Sequence, residues 1–384
     1  MRIFKIATLS PENNLSQKEL KYLRRFIFIT ILSITLLGFL MIYEASSIYA
    51  LKTAADPAYF FKHQIFFGLI GLIFFFLTLL IDLEFLRQYN KEFLLLTLII
   101  LAGVIIFGKR VGGAKRWLYI AGVNIQPSEL LKVSFLIYCA EYCRRKKTFM
   151  KNITLGLAPL GVILLSMCFL LLLQPDLGTA IFWVIWTIIF IFIFKARKKH
   201  LFSVILLCLV FSSFLVYKYP YRLRRITAYL NPYADPQGAG FQLIQSQISY
   251  GAGGIWGVGL GESKQKLFFL PAAHTDFIFS IIAEEFGLIG SFGLIFIFFL
   301  LFHRMVKIAR NSTDEFKRGV LWGIILIFFL EVIINIGVSC GLFPTKGLPL
   351  PFLSYGGSSL VVHYILLGLF FNASRSPKLS PINF

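Results

Sequence analysis

Ionisable residues stand within or beside the long apolar runs of this 384-residue sequence. Glu129 and Lys132 are three residues apart at the start of one run, so on a helix they share a face in the acid-before-base order that favours an ion pair. Charged groups at membrane depth are costly and by default indicate function. Two interpretations stay open: a buried structural pair, or a polar cavity in which Lys132 meets an anionic headgroup.

A basic segment precedes this pair. Residues 108–117 read GKRVGGAKRW and contain four cations and three glycines. Arg116 next to Trp117 combines a guanidinium, which can bind an anion through two hydrogen bonds, with an aromatic residue typical of membrane interfaces. Phosphate or pyrophosphate on a lipid is the anion that this segment predicts.

The segment His274-Thr275-Asp276 opens another apolar run. Asp276 or Thr275 could simply cap the N-terminus of a helix. Alternatively, Asp276 could be a general base for a hydroxyl, since a helix N-terminus favours an ionised carboxylate. Spacing leaves these alternatives even. Glu284 follows eight residues later, about 12 Å deeper on a continuous helix, so it could not act at the same atom without a bend.

Proline and glycine dominate residues 344–359, PTKGLPLPFLSYGGSS. Irregular backbone at membrane depth is tolerated where it lines a cavity or is covered by protein. Lys346 and Ser354 would therefore border such a cavity, and Lys346 adds a cation. The segment QPDLGT at 174–179 has residue types typical of tight turns, and we favour a structural turn here. Glu331 and Asn335, four apart in an apolar run, are favoured as hydrogen-bonding partners of neighbouring helices rather than as catalytic groups.

The elements that position these residues follow from composition. Hydrophobic residues make up 58% and charged residues 15% of the chain, which excludes an ordinary soluble globule and a disordered chain. A membrane-spanning helix needs roughly 20 apolar residues. Ten runs are candidates, with nine as the fallback count because the third and last are short: 26–43, 65–81, 93–107, 128–143, 153–173, 179–194, 201–217, 277–302, 320–338 and 357–371.

The net charge of +20 would favour nucleic acid in a soluble protein but is expected of cytoplasmic loops in a membrane protein. Of 38 Lys and Arg residues, 24 fall on one side if the N-terminus is cytoplasmic. We therefore predict an all-α polytopic membrane protein with about ten spans and both termini cytoplasmic. It would comprise a basic tail (1–25), one membrane domain (26–371) with a long extracytoplasmic loop (218–276) between spans 7 and 8, and a second tail (372–384).

Six motifs, in this order and at these intervals, resemble the SEDS family (shape, elongation, division and sporulation) over about residues 26–371. They are GGAKRWL, QPSELLK, QPDLGT, NPYADPQGAGFQLIQSQ, HTDFIFSIIAEEFGLIG and PTKGLPLPFLSYGGSS. The stretches GVGLGESKQKLFFLPAAHTDFIF and FPTKG are similar to the division subfamily, FtsW, rather than to the elongation subfamily, RodA. Two residues depart from the family pattern: Ala272 stands where many relatives have Glu, and Glu44 where Ser is common.

The resemblance implies a peptidoglycan glycosyltransferase that polymerises lipid II into glycan strands on the outer face of a bacterial inner membrane, during cell division. The essential aspartate of the family matches Asp276, which would be the base for the acceptor GlcNAc 4-hydroxyl. The polar cavity of the family matches Arg116, Glu129 and Lys132. The substrate-binding candidates are therefore Arg116, Glu129, Lys132, Lys346, His274, Thr275 and Ser354.

No cage of protein metal ligands is visible in the sequence, although a divalent cation (Mg²⁺ or Mn²⁺) could share the lipid pyrophosphate. The resemblance also implies partners: lipid II, membrane lipid, a class B penicillin-binding protein transpeptidase of the FtsI type, and other division proteins at the division site. Nucleic acid is not expected. Two alternatives are a lipid II flippase and a non-catalytic scaffold for the transpeptidase.

Overall fold

The computed structural model describes residues 15–111, 114–120, 123–194, 196, 224, 227–238 and 240–375. Long apolar helices dominate these residues because their backbone groups are hydrogen-bonded within each segment, as a bilayer requires. The helices are α1 (Gln17–Ala54), α2 (Tyr59–Leu80), α3 (Leu83–Gln88), α4 (Asn90–Phe107), α5 (Pro127–Arg145), α6 (Ala158–Leu173), α7 (Leu177–Ile193), α8 (Phe241–Gly253), α9 (Ile278–Arg310), α10 (Glu315–Ser339) and α11 (Gly357–Ala373).

Nine of the ten predicted runs overlap described helices, and the seventh, 201–217, lies outside the described residues. Among the described residues, six helices are long and apolar enough to cross a membrane by themselves. The apolar helices α7 and α11 are somewhat shorter. The chain is therefore an integral membrane protein. The six long helices are α1, α2, α4, α6 with its preceding turn (Ile153–Leu173), α9 and α10.

The prediction of an all-α fold was wrong in the basic segment. Strands β1 (Lys109–Val111), β2 (Ala114–Ile120) and β3 (Val123–Ile125) form a three-stranded antiparallel sheet between α4 and α5. Two glycines separate β1 from β2 in the sequence, which is a hairpin signal. These strands are so short that cations and glycines masked their alternating pattern.

The sheet marks one end of the helix bundle, which we call the sheet end; the opposite end, where α1 begins and α11 finishes, is the tail end. At the tail end, Ser16 and Glu19 form a capping box that starts α1. Between the two ends, small residues allow the helices to pack closely. For example, Gly71 of α2 faces the ring of Tyr364 of α11. The sheet end holds the polar residues that the sequence singled out.

One long helix is broken near the sheet end. Gly287 of α9 has φ 64° and ψ −160°, so α9 consists of a short segment before this glycine and a long one after it. Residues 254–259 pair with the break, since Val258 N–H donates to Glu284 O and Leu288 N–H to Gly254 O. The short segment and the loop before it thus form one folded layer over the sheet end.

Candidate functional site

Asp276 lies at the start of α9 but does not cap it. The helix begins at Ile278, and the N-cap position belongs to the apolar Phe277. The Thr275 hydroxyl donates to Ala272 O at 3.1 Å, within the preceding turn. The N-cap position is therefore occupied by neither Asp276 nor Thr275.

The segment 341–356, which joins α10 to α11 and which we call the strap, lies against Asp276. A Cβ atom built on Gly347 of the strap would lie 2.7 Å from Asp276 Oδ2. Asn335 of α10 donates from Nδ2 to Asp276 O at 3.0 Å and to Leu348 O at 2.7 Å. The strap, α10 and the start of α9 therefore meet at this aspartate.

The His274 ring belongs to an aromatic cluster. Its centroid lies 4.7 Å from that of Phe60 and 5.6 Å from that of Tyr355, whose backbone N–H donates to His274 O at 2.9 Å. Burial lowers the pKa of His274 to about 4, so the ring is neutral at neutral pH. His274 can shape the site but cannot supply a cation there.

Lys346 reaches from the strap to the turn between α6 and α7. Its Nζ donates to Gly178 O and lies 5.6 Å from the centroid of the Phe182 ring. Burial lowers the pKa of Lys346 to about 7, and the nearby cations Lys132 and Arg116 act in the same direction, against the carboxylate of Asp176. A bound anion would therefore stabilise the charged form of Lys346.

Arg116 of β2 holds the same turn. Its Nε donates to Gln174 O at 3.1 Å and its Nη2 to Pro175 O, while Nη1 lies 3.9 Å from Asp176 Oδ1. Asp176 caps α7, accepting from Thr179 N–H at 3.2 Å and from the Thr179 hydroxyl at 2.9 Å. The turn chemistry predicted for 174–179 is present, and the turn also joins the two cations Arg116 and Lys346.

The predicted pair of Glu129 and Lys132 is the centre of a larger buried network. Lys132 Nζ lies 2.6 Å from Glu129 Oε2 and 2.5 Å from Glu331 Oε1 of α10. Glu331 Oε2 in turn lies 2.9 Å from His363 Nε2 of α11. The network ties α5, α10 and α11 together beneath the strap.

Two residues that sequence reasoning missed support the site from below. His363 is one histidine in an apolar run, and only packing shows its carboxylate partner. Gln64 of α2 donates to Ser354 O at 3.1 Å and accepts from Gly356 N–H at 3.1 Å. Ser354 is buried and its hydroxyl accepts from Leu350 N–H at 2.9 Å, so it holds the strap together.

A second charged cluster anchors the loop before α9. Lys266 Nζ lies 3.1 Å from Glu44 Oε2 of α1 and 3.2 Å from Glu285 Oε1. Glu284, which the sequence placed deeper on one continuous helix, accepts instead from Ser263 Oγ at 2.5 Å and from Lys264 N–H at 2.9 Å. Glu284 therefore fixes the loop. Within the described part of the chain, no three His, Cys, Asp or Glu side chains converge as a metal site.

Comparisons with known proteins cover nearly the whole chain. The family model described as cell cycle protein, for FtsW, RodA and SpoVE, matches residues 24–379. The chain is 42% identical to a Trichlorobacter lovleyi protein named probable peptidoglycan glycosyltransferase FtsW, covering 93% of this chain and 94% of that protein. It is 39% identical to stage V sporulation protein E of Bacillus subtilis, covering 91% and 96%.

Solved structures agree with this likeness. A chain from a peptidoglycan synthase complex, studied for the coordination of polymerization and crosslinking, has a TM-score of 0.74 and 30% identity, covering 90% of this chain and 95% of that chain. The rod shape determining protein RodA of Thermus thermophilus has a TM-score of 0.65 and 25% identity, covering 92% and 97%.

Proposed function

The chain belongs to the cell cycle protein family of FtsW, RodA and SpoVE, and we propose that it is a peptidoglycan glycosyltransferase that polymerises lipid II into glycan strands. Relatives named for this activity support the proposal, among them proteins of Trichlorobacter lovleyi and Geobacter metallireducens. The similarity of its motifs to the division subfamily supports a role in septal cell-wall synthesis.

One observation carries the mechanism: Asp276 lies against the part of the strap that also contains Lys346. The Asp276 carboxylate lies against Gly347, and the preceding residue, Lys346, points its ammonium at the α6–α7 turn. Glycosyl transfer needs a base where a hydroxyl is activated and positive charge where a pyrophosphate departs. Asp276, which lies against Gly347, and Lys346, the residue before Gly347, would serve these two needs.

In the proposed reaction, O4 of the acceptor GlcNAc attacks the anomeric carbon of the donor sugar. The bond from that carbon to the pyrophosphate oxygen breaks, and the lipid pyrophosphate leaves with the electron pair. Asp276 takes the proton of the hydroxyl as O4 bonds. Lys346 and Arg116 would stabilise the negative charge that develops on the leaving group.

Lys132 would contribute to the same anion site from a more buried position. Its charge is balanced by Glu129 and Glu331, so an anion entering the cavity would compete with these carboxylates for the ammonium. We therefore propose that Lys132 contributes positive charge to the buried side of the site, and that Glu129 holds the Lys132 side chain in place. His274 and Thr275 would shape the acceptor side, and Ser354 would maintain the strap.

The sheet end would face the outside of a bacterial inner membrane. Phe194 lies at the tail end. Tyr229 lies at the sheet end, where its hydroxyl donates to Leu342 O. The proposed topology has ten spans and two cytoplasmic termini, and its seventh span, 201–217, lies outside the described residues. The division site would be the location within the cell.

A divalent cation such as Mg²⁺ or Mn²⁺ would be bound through the substrate. No group of three candidate ligands converges among the residues that the structure describes, whereas lipid pyrophosphate offers hard oxygen ligands. A metal held by pyrophosphate and water would neutralise charge on the leaving group, alongside the cations of the site.

A class B penicillin-binding protein transpeptidase of the FtsI type is the proposed partner. The similar chain from a peptidoglycan synthase complex supports such an assembly. An apolar cavity of about 1270 Å³ lies between α9 and α10, lined by aromatic residues such as Phe298 and Phe329. Its apolar, aromatic lining suits contact with a membrane helix of a partner.

The test is polymerisation of labelled lipid II by the purified complex with the transpeptidase and Mn²⁺, with Asp276→Asn compared to wild type. Asp56→Asn is the matched control, since Asp56 is another carboxylate at the sheet end, paired with Lys62. We expect glycan strands from wild type and Asp56→Asn but not from Asp276→Asn. Strands of equal length from Asp276→Asn would refute the mechanism.

The same preparations separate the alternatives. A flippase would move labelled lipid II across proteoliposomes whatever residue stands at 276. A scaffold would leave polymerisation absent from wild type while still binding the transpeptidase. Lipid II transport without polymerisation, or transpeptidase binding without polymerisation, would overturn the proposed activity.

A further inference from the structure

The Asn335 side chain joins two segments that carry the proposed chemistry. Its Nδ2 atom donates to the carbonyl of Asp276 and to the carbonyl of Leu348 in the strap. Asn335 is 1% exposed, so water does not readily replace either bond. We propose that Asn335 is a positioning residue that holds the Asp276 carboxylate in register with Lys346, an inference that rests on the proposed function.

The turn before Asp276 needs such support. The backbone N–H groups of Thr275, Asp276 and Phe277 all donate to Ala272 O, at 3.1, 3.1 and 3.3 Å. Ala272 itself has φ 56°, a left-handed conformation that residues other than glycine seldom adopt. A turn of this kind persists only when surrounding groups fix it. The bond from Asn335 to Asp276 O supplies that fixation directly after the turn.

The second bond places the strap. Leu348 follows Gly347, whose missing side chain leaves room for the Asp276 carboxylate. A shift of the strap would therefore press on the carboxylate and also move Lys346, two residues before Leu348. Because one amide group holds both segments, the distance between the base and the cation is set by Asn335.

The helix that presents Asn335 is itself fixed. Glu331 precedes Asn335 by four residues on α10, hence on the same face, and forms the ion pair with Lys132. The buried network and the Asp276 region are therefore connected through one turn of α10. A displacement of about 1 Å at a reacting group can cost about 100-fold in rate.

Two substitutions test the assignment. Asn335→Asp keeps an oxygen in place of Oδ1 but replaces the donor with an acceptor that faces two carbonyls. Asn335→Leu keeps the branched shape of the side chain and removes all hydrogen bonding. The matched controls are Asn372→Asp and Asn372→Leu, because Asn372 Nδ2 likewise donates to two carbonyls, Thr78 O at 2.9 Å and Ile81 O at 2.7 Å, at the tail end.

The measurements are kcat and KM for lipid II with the transpeptidase complex, together with lipid II binding and thermal melting. We expect kcat to fall about 100-fold in both Asn335 variants, with KM changed less than twofold. The Asn372 variants should match the Asn335 variants in melting temperature but retain wild-type kcat. If the Asn335 variants keep wild-type kcat, or lose kcat and lipid II binding together, the positioning role is refuted.

Wild type serves as the reference for the proposed function. If wild type does not polymerise lipid II, the proposed function fails and the Asn335 variants are uninformative about activity. If wild type polymerises and the Asn335 variants do so equally well, only the positioning inference fails. The two failures are therefore distinguishable in one experiment.

Discussion

Lys132 Nζ lies 2.5 Å from Glu331 Oε1, an ion pair that links α5 to α10 in the buried interior. Removing one partner of a buried pair leaves an uncompensated charge, which typically costs about 3–5 kcal/mol. The second carboxylate, Glu129, also bonds to this ammonium, so loss of Lys132 would leave two acidic groups facing each other.

We expect Lys132→Met to lower the melting temperature strongly and to abolish polymerisation. The double variant Lys132→Met with Glu331→Gln should recover part of the stability, since one unpaired charge is removed, but not the activity. Arg144→Met is the control, because the Arg144–Glu141 pair is partly exposed at the tail end and should contribute about 1 kcal/mol or less. Additive melting shifts in the double variant would contradict the coupling.

Lys346 should make substrate affinity depend on pH. Because burial lowers the pKa of Lys346 to about 7, its ammonium loses charge as pH rises through that value. We expect the KM for lipid II to rise between about pH 6 and 8, because a neutral amine attracts pyrophosphate less. Lys346→Arg stays charged over this range and should flatten the KM profile. An unchanged profile in Lys346→Arg would exclude Lys346 as the anion-binding group.

The lowered pKa of Lys346 should also make the stability of the protein depend on pH. An unfolded lysine titrates near 10.4, so between about pH 7 and 10 the unfolded chain binds more protons at this position than the folded chain. This group therefore makes the free energy of unfolding rise with pH over that window. The rise in melting temperature from pH 7 to 9 should be smaller in Lys346→Met than in wild type.

Hydropathy and helical spacing predicted the apolar helices at nine of the ten runs and the Glu129–Lys132 pair, because both depend on local sequence. The role of His363 could not be predicted, because its contact with Glu331 exists only where α10 packs against α11. The sheet escaped notice because its strands have only three to seven residues. Apolar periodicity continues on both sides of Gly287, so the break in α9 left no signal of its own.

The residue types of the candidate site could be chosen from the sequence, but the contacts between them could not. Asp276, Lys346 and Arg116 were singled out by charge in unexpected places. Asn335 joins Asp276 to the strap through hydrogen bonds to two backbone carbonyls. The directions of these carbonyls depend on the tertiary fold, and a sequence does not specify them. Ser354 was assigned to substrate from its position, whereas its hydroxyl is engaged by Leu350 N–H.

Gly347→Ala should impair catalysis without loss of substrate affinity. The new Cβ would lie 2.7 Å from Asp276 Oδ2, closer than atoms in contact allow, so the carboxylate must move. We expect kcat to fall at least tenfold while lipid II binding persists. Gly103→Ala is the control, since apart from its chain neighbours and its own helix backbone no described atom lies within 4 Å of the added Cβ. Wild-type kcat in Gly347→Ala would mean that Asp276 tolerates displacement.

Glu44→Ser should loosen the loop before α9. Glu44 is partly exposed and lies 3.1 Å from Lys266, so its loss should cost about 1 kcal/mol or less. We expect faster amide hydrogen exchange in residues 263–270, measured by mass spectrometry, with Asp56→Ser as a control that breaks an ion pair outside this loop. Equal exchange in both variants would show that Glu285 alone holds Lys266.

Gly287→Ala should disrupt the layer over the sheet end. The backbone of Gly287, at φ 64° and ψ −160°, lies in a region essentially restricted to glycine, where another residue costs about 1–3 kcal/mol. The added Cβ would also lie 2.6 Å from Ile255 O. We expect a lower melting temperature and lost polymerisation, because residues 254–259 could no longer pair with the break that precedes the long part of α9. Gly293→Ala lies in the same helix with no described atom within 4 Å of its Cβ, and it should behave as wild type. Equal melting temperatures in the two variants would show that the break does not depend on glycine.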